Sequence, residues 1–263
     1  MAMIMLDELL SFMRLRIAVG VALLSLFGCL LYGLPLDPTL IAVAATFFTF
    51  ASIYSLNNIT DVEEDRVNRK RINHFSARRS GLVITAMLAA LGLSAASLLH
   101  PYSFLAYLAL AAASVVYSVL RVKKILIVKN VYTSLFIALA FVAGSLPLFD
   151  GRMLLDVVFI FVYTAIGTVL ADTRDIEGDK ANGVLTVPVV FGYDAAVSLI
   201  YAGTLAQMGF LFLFNLSHFF ITIPFSLLMM YLLSKRNFER AHVTGTIALI
   251  LMIAYAIYAK TVI

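Results

Sequence analysis

The chain has 263 residues, 62% of them hydrophobic and only 13% charged, with a formal net charge of +4. Soluble domains carry about a quarter charged residues, so this chain has too little polar material to cover a water-facing surface, and a soluble or disordered protein is excluded. The single cysteine, Cys29, lies in an apolar run, which rules out a disulfide framework or a cysteine-based metal site.

A helix needs about 20 mainly apolar residues to cross the hydrocarbon core of a bilayer. Nine segments satisfy this, at about 17–34, 38–57, 81–99, 101–120, 131–149, 153–171, 195–214, 217–234 and 243–262. The first apolar run lacks a small-residue cleavage site and is expected to be retained, with the mature chain starting at or near Met1. Connections after odd-numbered spans are short: Pro35 to Asp37, His100 alone, Asp150 to Arg152. Connections after even-numbered spans are longer and hold the charge, so that 17 of the 19 Lys and Arg fall on one side of the bundle, leaving Arg152 and Lys260 opposite. The positive-inside rule then predicts a cell-membrane protein with a cytoplasmic N-terminus and an outer C-terminus, and it accounts for the basic excess without a nucleic-acid partner.

The acidic residues are distributed differently. Eight of the 15 fall in two windows, Asp61, Glu63, Glu64 and Asp65 after the second span and Asp172, Asp175, Glu177 and Asp179 after the sixth, both on the cytoplasmic side. Shifted by 114 residues, Asn58, Asp61 and Asp65 superpose on Asp172, Asp175 and Asp179, with Arg66 on Lys180 and Asn68 on Asn182. Both windows follow even spans, so the chain reads as one domain, 1–263, made of two parallel-oriented repeats (about 1–120 and 121–234) plus a last helix. Offsets of three and four put each trio on one helical face, and clustered carboxylates require a cation among them. Oxygen ligands without sulfur point to magnesium or calcium, and magnesium commonly bridges one or two carboxylates to a phosphate. Glu63, Glu64 and Glu177 lie off the shared face and read as solvated. His74, His100, His218 and His242 have no ligand spacing and read as interfacial. Pro147 and Pro224 are expected to kink spans, while Gly144 and Gly167 read as close-contact or cavity-lining positions.

The windows NNITDVEED (Asn57 to Asp65) and DTRDIEGD (Asp172 to Asp179) resemble the two motifs of the UbiA-type intramembrane prenyltransferases, N-D-x-x-D-x-x-x-D and D-x-x-D-x-x-x-D. YSVLRVKK at Tyr117 to Lys124 is similar to the family's Tyr, Ser and basic stretch. The resemblance implies an all-helical bundle of nine helices around a central cavity, in which two Mg2+ ions hold a polyprenyl diphosphate donor. It carries Asn57, Asp61 and Asp65 over as first-site metal ligands and Asp172 and Asp179 as second-site ligands, with Asp175 a ligand or a partner of Arg174.

Expected diphosphate contacts come from Arg121, Lys123, Lys124, Lys129 and Arg174, with Asn57 and Asn58 beside them. Tyr54 and Tyr117 are the aromatic faces expected to shield and stabilise an allylic cation. The chain departs from the family pattern at Asn58, where Asp is usual, and in RVNRKRINHFSARRSG, which lacks the usual Asn-Arg-Pro. As the counterpart of Asp172, Asn58 is expected beside the metals, so that Asn58→Asp would tighten magnesium.

The acceptor is lipophilic, and the resemblance favours an aromatic quinone precursor, with a prenylglyceryl phosphate of archaeal ether-lipid synthesis as the alternative. A cation or phosphate transporter is the reading from another class. A carrier needs ionisable groups near the membrane midplane, and the one acid within the spans is Asp156, near the outer end of the sixth.

Overall fold

The computed structural model describes residues 2–67 and 71–262, with the side chains of Glu64, Val67, Lys123, His242, Thr246, Ala256 and a few terminal residues outside the description. Among the described residues every regular element is helical: α1 (Ala2–Phe12), α2 (Leu15–Leu31), α3 (Leu36–Thr60), α4 (Val62–Val67), α5 (Arg79–Ala96), α6 (Pro101–Val119), α7 (Val128–Val142), α8 (Gly151–Arg174), α9 (Ile176–Ala181), α10 (Val187–Phe191), α11 (Tyr193–Leu213), α12 (Thr222–Ser234) and α13 (Phe238–Val262). Six helices are each long and apolar enough to cross a bilayer, α7 with its 3-10 extension (Ala143–Leu148) among them. The pair Met5–Phe12 and Leu15–Leu31, bent by 49°, makes a seventh if counted as one span. The chain is a multi-pass membrane protein, and Leu82, Val83, Met87 and Leu91 on α5 and Leu199, Leu205 and Phe212 on α11 are exposed as lipid-facing side chains would be.

Two expectations change here. The eighth apolar segment, read as 217–234, divides into a 3-10 turn (Ser217–Phe219) and α12, whose 13 residues rise only about 20 Å. Pro224 therefore sits in the first turn of α12, where its missing N–H is no loss, and not inside a span. Pro147 does lie in the 3-10 continuation of α7, where a ring without an N–H favours the tighter winding. His100 has a structural task, since Nδ1 accepts the Tyr102 N–H at 3.3 Å and Pro101 follows at the first helical position of α6. The two glycines separate as well: a Cβ on Gly144 would lie 2.6 Å from Ala42 Cβ and 2.8 Å from Cys29 Sγ, whereas Gly167 meets nothing within 4 Å and opens on the central cavity.

Both acidic windows have one local architecture. A long helix ends, a single Asp breaks it (Asp61 at φ −93°, ψ 0°; Asp175 at φ −101°, ψ 16°), and a six-residue helix follows. An offset of 114 residues carries the first residues of α2, α3, α4 and α5 to within one residue of those of α7, α8, α9 and α11, as in Val62 to Ile176 and Arg79 to Tyr193.

At the other end of α8, Asp156 is 1% exposed and receives two hydrogen bonds, from Tyr32 Oη at 2.6 Å and His218 Nε2 at 3.0 Å. His218 is therefore not simply interfacial: it joins the α11–α12 connection to α8 and to the end of α2. Stripping the carboxylate would leave two half-buried polar groups without a partner, a loss of about 1–3 kcal/mol. Asp156→Ala is expected to unfold at lower temperature than wild type, with Asp156→Asn between them. Buried Cys29 supplies the readout, since a thiol-reactive dye labels it only as the bundle opens; identical melting curves would show that the trio does not support the bundle.

Candidate active site

A cavity of about 590 Å³ opens at the end of the bundle where both acidic windows lie. Its polar rim holds Asn57, Asp61 and Asp65 from the first window and Asp172, Arg174, Asp175 and Asp179 from the second, with Tyr54, Tyr117 and Lys129. Deeper, the walls turn to Ile137, Ile166, Leu170, Phe225, Met229 and Leu249.

The centre of the second window is Asp172, 1% exposed at the end of α8. Burying an unpaired carboxylate is costly, and two groups on neighbouring α7 meet the demand: Lys129 Nζ donates to Asp172 Oδ1 at 2.7 Å, and Asn130 Nδ2 to Oδ2 at 2.8 Å. Asn130 Nδ2 also reaches Thr168 Oγ1 at 3.1 Å. Lys129 bridges onward to Asp179 Oδ2 at 3.4 Å, so one ammonium stands between two carboxylates of the motif. Burial raises the Asp179 carboxyl above its ordinary range, Asp172 and Asp175 add to the rise, and the Lys129 ammonium opposes it. Asp175 forms a two-point ion pair with Arg174 at 3.0 and 3.1 Å, the alternative partner expected for it.

In the first window Asn57 faces the cavity, and its Oδ1 accepts from the Ser118 hydroxyl on α6. Asn58 does not. Its Oδ1 accepts from Arg14 Nε and Nη2 at 3.2 and 3.1 Å, and its Nδ2 donates to the Phe12 carbonyl at 2.6 Å. One residue of helix rotates a side chain by about 100°, so adjacent asparagines cannot share the cavity face. The expectation that Asn58→Asp tightens magnesium thus loses its geometric basis.

Tyr117 stacks on Tyr132 with centroids 5.7 Å apart, and Tyr54 packs on Phe50 with the Arg14 guanidinium 5.9 Å from its ring centre. Arg121 and Lys124 are not among the residues lining the cavity. Arg121 is exposed in a left-handed turn at φ 53°, and Lys124 Nζ donates to the Asn182 carbonyl at 3.2 Å, tying the α6–α7 connection to the end of α9. The Lys123 side chain lies outside the described residues. Glu63 pairs with Arg66 in solvent and Glu177 is exposed, as expected for residues off the shared face.

Residues 18–253 match the UbiA prenyltransferase family. The chain belongs to that family. A digeranylgeranylglyceryl phosphate synthase of Saccharolobus solfataricus is 24% identical over 255 residues, 90% of this chain and 89% of that one. Another, of Sulfurisphaera tokodaii, is 29% identical over 152 residues, so that the match spans 54% of this chain and about half, 53%, of that relative. The structure of a UbiA homolog from Archaeoglobus fulgidus bound to GPP and Mg2+ has the same fold, with a TM-score of 0.78 at 20% identity over 95% of this chain and 98% of its own. As a member of the UbiA family the chain is a membrane enzyme of the prenyltransferase class.

Sequence reasoning missed Arg14 and Asn130, and gave Ser118 no role beyond its place in the YSVLRVKK stretch. Arg14 stands at the break between α1 and α2, far from either motif in the chain, and no local spacing marked it. Asn130 carried a signal that went unread: a carboxylate buried at the end of α8 needs amide or ammonium donors, and the segment after Lys129 was the nearest source. Groups that orient a ligand commonly affect metal affinity or activity by about 10–100-fold. Asn130→Ala is expected to raise half-saturating magnesium within that range and, because it leaves a buried carboxylate oxygen without its donor, to lower the melting temperature as well. Unchanged magnesium dependence would mean that Lys129 alone positions Asp172.

Proposed function

We propose that this chain transfers a prenyl group from a polyprenyl diphosphate to the hydroxyl of a prenylglyceryl phosphate, forming an ether inside the membrane. The observation that carries the reading is the cavity itself: carboxylates from two separate helix ends on one polar rim, above an apolar pocket. The aromatic acceptor expected from the sequence gives way to the alternative, because the relatives reported above are named for a glyceryl phosphate product.

Among the described residues no three acidic, histidine or cysteine side chains converge closely enough to hold an ion by themselves. The donor set is all oxygen, which fits magnesium completed by water and by phosphate oxygens of the substrate. Asn57, Asp61 and Asp65 would hold one ion, and Asp172 and Asp179, with Asp175, a second. When bound, magnesium offsets the negative charge that grows on the departing diphosphate. Lys129 and Arg174 bring further cationic donors to the rim, each already placed there by its carboxylate partners. Tyr54 and Tyr117 flank the carbon that becomes cationic, and the apolar lining holds the tail and excludes water. The allylic C–O bond breaks with its electron pair on the diphosphate. The acceptor oxygen forms the new C–O bond, and its proton passes to diphosphate or water.

On this reading the chain is built of two parallel repeats, with an inside N-terminus and a cytoplasmic active site. In a background without Cys29, a cysteine at position 70 should label only from the cytoplasmic side; labelling only from outside would reverse the topology.

Purified protein, offered prenyl diphosphate with aromatic acids, naphthoates and prenylglyceryl phosphate, is expected to give the ether product by mass spectrometry, and only with magnesium. Asp61→Asn and Asp172→Asn should each lose at least about 100-fold in turnover while still inserting and purifying, since each removes a charged ligand. Wild-type rates from both variants at limiting magnesium would sink the two-site reading.

A further inference from the structure

Beside the main cavity lies a second, polar pocket of about 180 Å³, walled by α1, the α3–α4 junction and the segment after residue 70. Its walls include Ser11, Arg14, Asn58, Asp65, Arg71 and Ser76, and Arg14 and Asp65 also line the main cavity, so the two spaces adjoin. We propose that this pocket binds the phosphate monoester of the acceptor and that Asn58 is the specificity-determining residue that leaves the charge of Arg14 uncancelled. The inference rests on the prenylglyceryl phosphate reading above and extends it from the substrate class to the place where its headgroup docks.

The argument starts from Arg14. Its backbone adopts the left-handed conformation, φ 46° and ψ 52°, at the bend between α1 and α2. For a residue with a Cβ that conformation is costly and persists only where the surroundings hold it. What holds it is Asn58, which accepts from Nε and Nη2 through one oxygen while its amide donates to the Phe12 carbonyl two residues before Arg14. Only an amide can do both, since a carboxylate has no N–H to give.

The neutrality of Asn58 matters as much as its geometry. No carboxylate among the described residues forms an ion pair with Arg14, and two of its five N–H groups are used on Asn58, leaving the fork able to meet phosphate oxygens in two-point fashion. Arg71, already ion-paired with Glu8, adds N–H donors but no uncompensated charge; Glu8 also accepts from the His74 N–H at 3.0 Å and so fixes the segment after residue 70 against α1. The Ser11 and Ser76 side chains complete the polar wall. Asp65 opposes an anion here, but it also faces the main cavity, where it belongs to the carboxylates proposed to hold the donor. A phosphate seated between Arg14 and Arg71 leaves its glyceryl group at the opening shared with the main cavity, with the hydroxyl directed toward the donor.

The test is Asn58→Asp, which would pair with Arg14 and cancel its charge. Full-length protein is assayed with prenyl diphosphate and magnesium against two acceptors, a prenylglyceryl phosphate and the same prenylglycerol lacking its phosphate. Losing a charge-assisted, two-point contact to phosphate is expected to raise the KM for the phosphorylated acceptor about tenfold or more. Donor KM and turnover of the phosphate-free acceptor should stay within about twofold. Ser76→Asp, which brings a carboxylate from another wall, should act in the same way and serves if Asn58→Asp fails to fold. Glycerol phosphate should compete with the acceptor in wild type and lose that competition in both variants, whereas inorganic diphosphate should compete with the donor equally in all three. Equal effects on both acceptors, or none on either, overturn the pocket. If wild type prenylates an aromatic acceptor and ignores prenylglyceryl phosphate, it is the acceptor reading that falls, and the pocket's assignment falls with it.

Discussion

The arrangement depends on one buried contact, the carboxylate of Asp172 held by Lys129 and Asn130 across the α7–α8 interface. A carboxylate this deeply covered tolerates burial only with cationic and amide donors in place. Meeting that demand fixes how far α7 can slide along α8, because both donors are consecutive residues in the first turn of α7. The same lysine reaches Asp179 beyond the break at Asp175, so it also sets the angle of the short α9 against α8. With Lys129 between them, two carboxylates can wait side by side without a metal.

A second constraint is the membrane. Backbone groups at bilayer depth need hydrogen bonds within the helix, so functional irregularity has to collect at helix ends. Both acidic motifs obey this. Each begins in the last turn of a long helix and breaks the backbone at its middle Asp before continuing on a six-residue helix outside the span. The break is what lets residues seven or eight apart look into one cavity from above and beside it.

Much of this could be read from residues alone. Apolar run lengths located most of the long helices to within a few residues, and the matching offsets of the two acidic windows pointed to the residues of the rim, because carboxylate spacing reports directly on helical faces. The exact register at Asn57 and Asn58 could not be read that way. Superposing the windows favours Asn58, but the break at Asp61 unlinks the motif from ideal 3.6 periodicity, and Asn57 is the residue that turns inward. Pairings across long stretches of chain were equally hidden: Tyr32 and His218 meet at Asp156, and Arg14 meets Asn58, without any local pattern to announce them. Such contacts satisfy polar groups that tertiary packing has already buried, so their signal lies in three dimensions and not in spacing.

The lining of the cavity shows how some side chains that look polar in sequence can add to its apolar surface. Thr164, Thr204 and Thr244 all border it, yet each hydroxyl donates back to a carbonyl of its own helix: to Ile160 at 2.7 Å, to Ile200 at 2.7 Å and to Ala241 at 2.6 Å. A threonine bonded in this way has no hydroxyl proton left to draw water inward, so these positions extend the apolar surface of Phe225, Met229 and Leu249. Between Asp172 and Tyr163 α8 advances nine residues, about 13 Å, which separates the charged rim from the deep end of the chamber. Diphosphate chemistry needs strong charge, and an allylic cation needs the absence of nucleophilic water. Placing the first at one end of the cavity and the second along walls where these three threonine hydroxyls are already engaged helps one cavity meet both requirements.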